Sequence, residues 1–485
     1  MKDQAILNKV RNATLWSTVT QLATKLFSPL SNIILARLLS PETFGIVATV
    51  MIIISFTDIF IDSGFPKYLI QHEFHNLAEE KVYANVAFWT NLGVAFFLWF
   101  IIIIFQHPIA TIVGNSSLDY VIAIACIQLP INALSSVQSA LFTRSFQYKD
   151  IFIIRVISAI IPFIVTIPLA YLGLRHWSII IGSTSGIIFS TALLTIKSDW
   201  RPFLFYRMSI LKEMLSFSSW SILEGFFIWL TTWVDIIVIG NVFSDYYLGL
   251  YMTSYNMVNA LMSLITSAIA PVLFAALSRM QNDKILFYFT FLKYQRMIAY
   301  FLLPIGIGIF LYRDIATNII LGKNWMEASN IIGIFALTTA IKISLVNLNS
   351  EALKAIGQPK LSLVLQVLDL GIIVPVCMMS KEYGFWSLVY ARSFARLDLI
   401  IPGLILVSII LKYRIWILIK NISLPFLCTI VMSLLAIVLR QLYASISGQL
   451  ISIAICALLY LLMIILCDKS VLYQFYVFYN KRRYK

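Results

Sequence analysis

Apolar residues run along this chain in long blocks, with polar residues gathered in the short gaps between them. About 20 apolar residues cross a bilayer, and fourteen blocks are long enough to be read as spanning helices. They cover residues 13–37, 44–62, 82–106, 118–141, 151–173, 176–196, 215–240, 247–276, 290–311, 329–353, 361–380, 384–408, 416–439 and 447–467. The gap at residues 34–50 reads ILARLLSPETFGIVATV. Ser40-Pro41-Glu42 within it is a helix start: Ser40 accepts from free backbone N–H groups, Pro41 suits the first helical position, and Glu42 favours the positive end of the dipole.

A related pattern, VIGNVFSDYYLGLYMTS, returns at residues 238–254. At an offset of 204 residues, Trp16-Ser17 meets Trp220-Ser221, Ser28 meets Thr232, Ser40 meets Ser244 and Gly45 meets Gly249. Farther along, HWSII at 176–180 resembles FWSLV at 385–389 at a slightly larger offset. Common order and near-constant spacing predict a duplication, with spans one to six in one unit and seven to twelve in the other. Six is even, so both units enter the membrane in the same orientation. Transporters built from such parallel repeats place the substrate route between the halves. The expected organisation is a six-helix lobe at 1–200, a second at 201–412, and two further helices with a basic tail at 413–485. The fold class is therefore an all-α integral membrane protein of about fourteen helices.

Composition removes the soluble alternatives. Of 485 residues, 60% are hydrophobic and 12% charged, with mean hydropathy +0.89; soluble proteins carry about 25% charged residues. The net charge of +14 would raise nucleic-acid binding in a soluble protein. Here the basic residues sort by side. With the N-terminus in the cytoplasm, 22 of the 36 Lys and Arg fall in cytoplasmic segments, 5 in external loops and 9 within spans or at their ends; every cytoplasmic segment has at least two and no external loop more than two. That alternation is the positive-inside pattern and predicts two cytoplasmic termini. The tail KRRYK reads as a topology signal or anionic-lipid contact, and the N-terminal run as an uncleaved first span. The five cysteines (Cys126, Cys377, Cys428, Cys456 and Cys467) all lie in apolar runs without a CxxC, as buried small hydrophobes do.

Several spans carry polar stripes. Thr14, Ser17, Gln21, Lys25, Ser28 and Asn32 step by three and four along span one, which puts them on one helical face. Span seven carries Ser221, Glu224, Thr231 and Asp235; span four Gln128, Asn132, Ser135, Ser139 and Thr143; span two Ser55, Asp58 and Asp62; span eight Asn259, Ser263 and Thr266. Such stripes face other helices, where Ser, Thr and Asn bond across the contact, or a water-filled cavity. Full charges cost roughly 3 kcal/mol or more at mid-membrane and mark pathways or buried ion pairs; Lys25, Lys342, Asp369, Arg392 and Arg396 are of this kind. One expectation is a central chamber in which Lys25, Lys342 and Arg396 give positive potential for an anionic headgroup. Gln21, Ser28, Asn32, Asp58 and Asn259 would line it, and Glu224 and Asp235 would balance it or bind a coupling cation. The competing reading makes Asp369, Arg392, Arg396 and Asp398 a structural ion network between spans eleven and twelve. HEFH at 72–75 reads as a solvated loop, so no metal site and no cofactor are expected.

No G-x-x-x-x-G-K-[ST] loop is present, so the chain carries no ATPase of its own. No external loop has the length of a polymerase or ligase catalytic segment, and no constellation reads as catalytic. The expectation is a non-enzyme.

The N-terminal pattern, a basic amphipathic start followed by ILARLLSPETFGIVA and DIFIDSGFPKYLIQ, resembles bacterial polysaccharide transporters, the Wzx-type flippases of O-antigen, capsule and exopolysaccharide units. YGFWSLV at 383–389 resembles a segment common in that group. The resemblance covers most of spans one to twelve and is most specific in the first 75 residues. It implies the fold shared by multidrug and toxin extruders and lipid II flippases, with alternating access. It also implies a substrate, an oligosaccharide on undecaprenyl diphosphate moved to the external leaflet, and partners in polysaccharide polymerase and chain-length proteins. The coupling cation, H⁺ or Na⁺, stays open. So does a second function, a cation-coupled drug or metabolite exporter of the same superfamily; a membrane glycosyltransferase or polymerase ranks below both.

Overall fold

The computed structural model describes residues 16–468, apart from 17–18, 22, 26, 28, 63, 282, 357–358, 412–413 and 444. The N-terminal flank and the KRRYK tail fall outside the described residues, as do Thr14, Ser17 and Ser28 of the span-one stripe. Every regular element among the described residues is helical. Twelve helices there are long and apolar enough to cross a membrane, and they match expected spans two to seven and nine to fourteen. The first expected span is only partly described, and the eighth is a 35-residue helix, Asp245–Arg279.

Contacts divide the chain into two compact units, residues 1–253 with 370–388 and residues 254–369 with 389–485. In the first unit, α1 (residues 29–38) precedes α2 (Pro41–Asp62), α3 (Phe65–Gln71) and α4 (Leu77–Ile104). Then come α5 (Gln106–Ile112), α6 (Asp119–Ala125), α7 (Gln128–Arg144), α8 (Tyr148–Tyr171), α9 (His176–Lys197), α10 (Met208–Val242) and the start of α11 (Asp245–Arg279). α8 lies along α9, α7 packs on α4 and α9, and α2 packs on α10. Small residues permit the α8–α9 approach: a methyl built on Gly186 would stand 2.6 Å from the Pro162 ring. Close backbone contact of this kind is how apolar helices associate in lipid.

The helix starts follow the local sequence. α2 opens on Pro41 as expected, with the Ser40 hydroxyl 3.4 Å from that of Thr43. Asn76 caps α4 by accepting from Glu79 N at 2.8 Å, and the Glu79 carboxylate accepts from His75 N at 2.6 Å, a close variant of the capping box.

The second unit holds the rest of α11, then α12 (Lys284–Leu311), α13 (Arg313–Ile320), α14 (Ala328–Lys342), α15 (Leu348–Ala355) and the first half of α16 (Pro359–Ser380). It resumes midway through α17 (Phe385–Ala395) and continues through α18 (Ile400–Leu411), α19 (Ile415–Asn421), α20 (Ser423–Leu442) and α21 (Ile446–Cys467). α12 packs along α14 and α20, and α20 along α21. Tyr312, Cys428, Met432, Cys456 and Tyr460 form the core between α20, α21 and the end of α12.

Candidate functional site

The two turns paired by the repeat lie against each other within the first unit. A methyl built on Gly45 would stand 2.7 Å from the Asp245 carbonyl carbon, and one on Gly249 would stand 2.7 Å from the Pro41 carbonyl carbon. Pro41 and Asp245 are themselves 204 residues apart. Each glycine therefore meets the repeat partner of its own helix start, the reciprocal contact of a two-fold interface. Asn115 Nδ2 donates to Asp245 Oδ2 at 2.7 Å, and Asn241 Nδ2 to the Ile112 carbonyl at 2.8 Å, fastening the α5–α6 loop over the crossing.

The polar stripes separate by environment. On α7, the Gln128 amide donates to the Ser183 and Thr184 hydroxyls of α9 at 3.1 and 2.9 Å. Ser135 pairs with Thr191 at 3.0 Å. This stripe is bonding between helices. On α2, Ser55 accepts from the Trp229 indole of α10 at 3.0 Å, and Asp58 on the next turn is half-buried. On α10, Asp235 and Glu224 diverge despite their shared face: Asp235 is 1% exposed and accepts from the Tyr251 hydroxyl at 2.6 Å, whereas Glu224 is exposed. Gln21, Lys25 and Asn32 are half-buried along the first helix, as is Asn259 on α11.

In the second unit Lys342 and Arg396 come together. Lys342 Nζ lies 3.7 Å from Asp369 Oδ2. The Arg396 guanidinium sits 4.2 Å from the centre of the Phe335 ring and 5.0 Å from that of Tyr255. Asp369, Arg392 and Arg396 are 8%, 6% and 6% exposed.

A groove of about 1340 Å³ runs beside this cluster's unit-mates α12, α20 and α21. Its walls are apolar, with Phe301, Ile305, Ile453, Leu461 and Ile465 among the lining residues, and Lys293 and Arg296 mark one end. Arg296 is held there by Asp468 at 3.4 Å and by the Asn421 carbonyl at 3.1 Å, and Asp468 also accepts from the Tyr300 hydroxyl at 2.5 Å. No stripe announces the groove in the sequence, because its lining residues look like any lipid-facing surface.

A second cluster also escaped sequence reading. Glu213, ahead of the apolar part of α10, accepts from Tyr68 at 2.6 Å and from Tyr83 at 2.7 Å. His72 of the HEFH loop stacks on Tyr68 with ring centres 4.7 Å apart. The two phenols hold the Glu213 carboxyl below its ordinary range, and burial beside Glu213 pushes the Tyr68 phenol up. Next to it, Asn85 donates to the Phe205 carbonyl at 2.5 Å and Trp89 to the Phe203 carbonyl at 2.9 Å, strapping the segment between α9 and α10 onto α4. A lone glutamate after Lys212 in a basic linker was the available signal.

A sequence profile described as "Polysaccharide biosynthesis protein" matches residues 34–330. The chain belongs to the polysaccharide biosynthesis protein family. Among relatives in this family's functional field, it is similar to the succinoglycan biosynthesis transport protein ExoT of Rhizobium meliloti, 23% identical over 67% of this chain and 65% of that protein. It is also similar to the teichuronic acid biosynthesis protein TuaB of Bacillus subtilis, 23% identical over 84% of this chain and 86% of that protein. Among solved structures it resembles the lipid II flippase MurJ in an inward closed conformation, with a TM-score of 0.77, 14% identity, and 96% and 100% of the two chains covered. At that identity the likeness concerns the fold, which is the one the family resemblance implied. The chain is thus a multi-pass helical membrane protein of a polysaccharide-biosynthesis family.

Proposed function

We propose that this protein moves undecaprenyl-diphosphate-linked oligosaccharide units from the cytoplasmic to the external leaflet of a bacterial plasma membrane, for O-antigen, capsule or exopolysaccharide assembly. Two six-helix lobes, 1–200 and 201–412, alternate access, and residues 413–485 add two helices and a cytoplasmic tail. The observation that carries the reading, beside family membership, is the groove along α12, α20 and α21. An apolar trough with Lys293 and the Arg296–Asp468 pair at one end, one positive charge in excess, matches a substrate with a long isoprenoid chain and an anionic diphosphate. In the orientation given by the basic residues, that end faces the cytoplasmic leaflet, where the substrate is made. Lys25, Lys342 and Arg396 supply positive potential along the route, and Gln21, Ser28, Asn32, Asp58, Glu224, Asp235 and Asn259 supply polar contacts. A coupling cation completes the cycle, and polymerase and chain-length proteins receive the product. The protein acts as a transporter, with no catalytic step.

The test is a deletion strain with no second flippase, with and without plasmid-borne protein. Deletion is expected to accumulate undecaprenyl-linked oligosaccharide and abolish surface glycan. Lys25→Ala at normal protein level is expected to fail in complementation. Unchanged lipid intermediates and surface glycan on deletion would overturn the reading.

A further inference from the structure

Within the first unit, α10 is held at both of its ends against elements that precede it. In the proposed division into lobes, α10 opens the second lobe, and α2, α3 and α4 belong to the first. The two ends are fastened differently. At the end expected to face outside, main chain meets main chain. The Gly240 carbonyl fills the place of a side chain at Gly114, whose φ of +97° suits glycine, and Asn241 Nδ2 donates to the Ile112 carbonyl at 2.8 Å. No side-chain rotation loosens such an interlock.

At the other end the fastening is made of side chains within reach of water. Glu213 is exposed, yet its Oε1 accepts from Tyr68 at 2.6 Å and its Oε2 from Tyr83 at 2.7 Å. The phenols are fixed in place. His72 stacks on both, with ring centres 4.7 and 5.6 Å away, and Arg144 Nη1 holds the turn after α3 by the Leu69 and His72 carbonyls at 2.8 and 2.5 Å. Glu213 is on the side that can leave. Ahead of it, the strap is pinned to α4 by Asn85, Trp89 and Thr90 as far as Tyr206, and α10 starts at Met208 without a side-chain cap. Arg207 is thus a pivot between a fixed strap and a long helix.

The seam behind this contact is incompletely satisfied when shut. Ser218 of α10 is fully buried against Gly64, where an added methyl would stand 3.3 Å from the Ser218 Cβ. Its hydroxyl has no hydrogen-bond partner among the described residues. Nor has the indole N–H of Trp200, which lies in the apolar cluster joined by Ile210 and Met214 of α10. Water entering an opened seam satisfies both groups and offsets part of the cost of exposing Ile210 and Met214. The phenol–carboxylate bonds are strong while formed, and on breaking they exchange for bonds to water. Release at this end is therefore cheaper than parting the glycine interlock at the other.

We propose that Glu213 is a releasable latch that shuts one end of the α10 seam against Tyr68 and Tyr83, and that each transport cycle begins with its release while the glycine interlock keeps the other end closed. α10 swings about Arg207, and the face carrying Met214 and Ser218 becomes the wall of an opening through which the polar headgroup of the substrate enters. The latch stands on the geometry of the seam; its cytoplasmic placement and its part in a cycle rest on the transport reading above.

The experiment uses the full-length chain with its five native cysteines replaced by alanine. In inside-out membrane vesicles, Ser218→Cys is expected to react slowly with a membrane-impermeant maleimide, and several-fold faster once Tyr68→Phe and Tyr83→Phe remove both donors. An equal rate overturns the latch. Release is tested by a lock: Gly64→Cys with Ser218→Cys brings the two Cβ atoms close to disulfide separation. Oxidation by copper phenanthroline is expected to stop export of lipid-linked oligosaccharide and dithiothreitol to restore it, a loss absent from chains bearing one of the two cysteines. Normal export with the disulfide formed, as read by gel mobility, makes the contact static and overturns the proposal. Faster labelling in the phenylalanine variant, in a protein whose deletion changes neither surface glycan nor lipid intermediates, sinks the transport reading and leaves the latch. Should the double phenylalanine variant fail to fold, Glu213→Gln carries the labelling measurement, with a smaller acceleration expected and an unchanged rate counting against the latch.

Discussion

Replacing Gly45 with alanine puts a methyl group where the structure has no room for one. The new carbon stands 2.7 Å from the Asp245 carbonyl carbon, whereas carbon atoms at contact need about 3.5–4.0 Å. The turn and α11 must therefore part by about 1 Å. The obstacle is main chain at the start of a helix, so no side-chain rotation relieves it. Overpacking of this kind costs about 1–3 kcal/mol, set against a helix-propensity gain of about 1 kcal/mol for alanine. Because the obstacle is main chain, the upper part of that range applies, about 2–3 kcal/mol, and the net expectation is a loss of about 1–2 kcal/mol. Gly249→Ala meets the Pro41 carbonyl carbon at the same 2.7 Å and should cost about as much.

The reciprocity of the crossing makes a sharper statement about the double variant. One separation of about 1 Å relieves both clashes, so Gly45→Ala with Gly249→Ala should cost little more than either alone. The interaction term is then about as large as one single effect, far beyond the few tenths of a kcal/mol by which independent sites deviate from additivity. Gly93→Ala on α4 is the control, because a methyl there meets nothing within 4 Å. The assay is unfolding of the purified protein by dodecyl sulfate in mixed micelles, followed by loss of helical circular dichroism. Fully additive single effects, or a neutral Gly45→Ala, would refute the two-fold packing argument.

Three further outcomes are expected. Ser135→Ala removes the hydroxyl facing Thr191 and should destabilise by about 0.6 kcal/mol, at most about 1.7, in the same unfolding assay. Lys342→Met should cost about 3–5 kcal/mol by stranding Asp369, and Lys342→Met with Asp369→Leu should recover most of it, since a buried charge is worse alone than a buried pair is absent. The Tyr68 and Tyr83 phenols hold the folded-state pKa of Glu213 below its ordinary 4.5. Their contribution is therefore complete above that value and lost as pH falls through the lower folded one. A stability difference between wild type and Tyr68→Phe should be steady from neutral pH down to about pH 5 and vanish in stronger acid; a difference that persists there contradicts the Tyr–Glu bond as its source.

Much of this architecture is written in local patterns. Apolar run length places the spans because the bilayer enforces a minimum of about 20 residues, and Ser40-Pro41 places the start of α2 because its chemistry is confined to four residues. The 204-residue repeat was visible as scattered matches such as Gly45 with Gly249. Their meaning emerges only in three dimensions, where each sits on the other's helix start. Glu224 and Asp235 show the opposite case. Eleven residues apart, they share a helical face by periodicity, yet one is exposed and the other bonded to Tyr251. Periodicity fixes direction around an axis, and a tertiary neighbour decides what lies in that direction. The groove was hidden for a related reason: Ile453 and Leu461 are apolar whether they face lipid tails on a flat surface or line a trough.

The contrast between α7 and the Lys342 cluster states the physical distinction that a polar stripe alone leaves open. Gln128 and Ser135 find hydroxyl partners on α9, and their hydrogen bonds close among themselves. A matched stripe is glue, and it has no use for a ligand. Around Lys342, α14 carries a π-helical turn, and Asp369 Oδ1, Asp398 Oδ2 and two guanidinium nitrogens of Arg396 are buried without a hydrogen-bond partner. An unmatched buried polar group costs about 1–3 kcal/mol. Function in such a membrane is thus expected where the protein leaves its own hydrogen bonding incomplete at a place that can move. Among the sequence-derived candidates of the second unit, Lys342 and Arg396 stand at such a place.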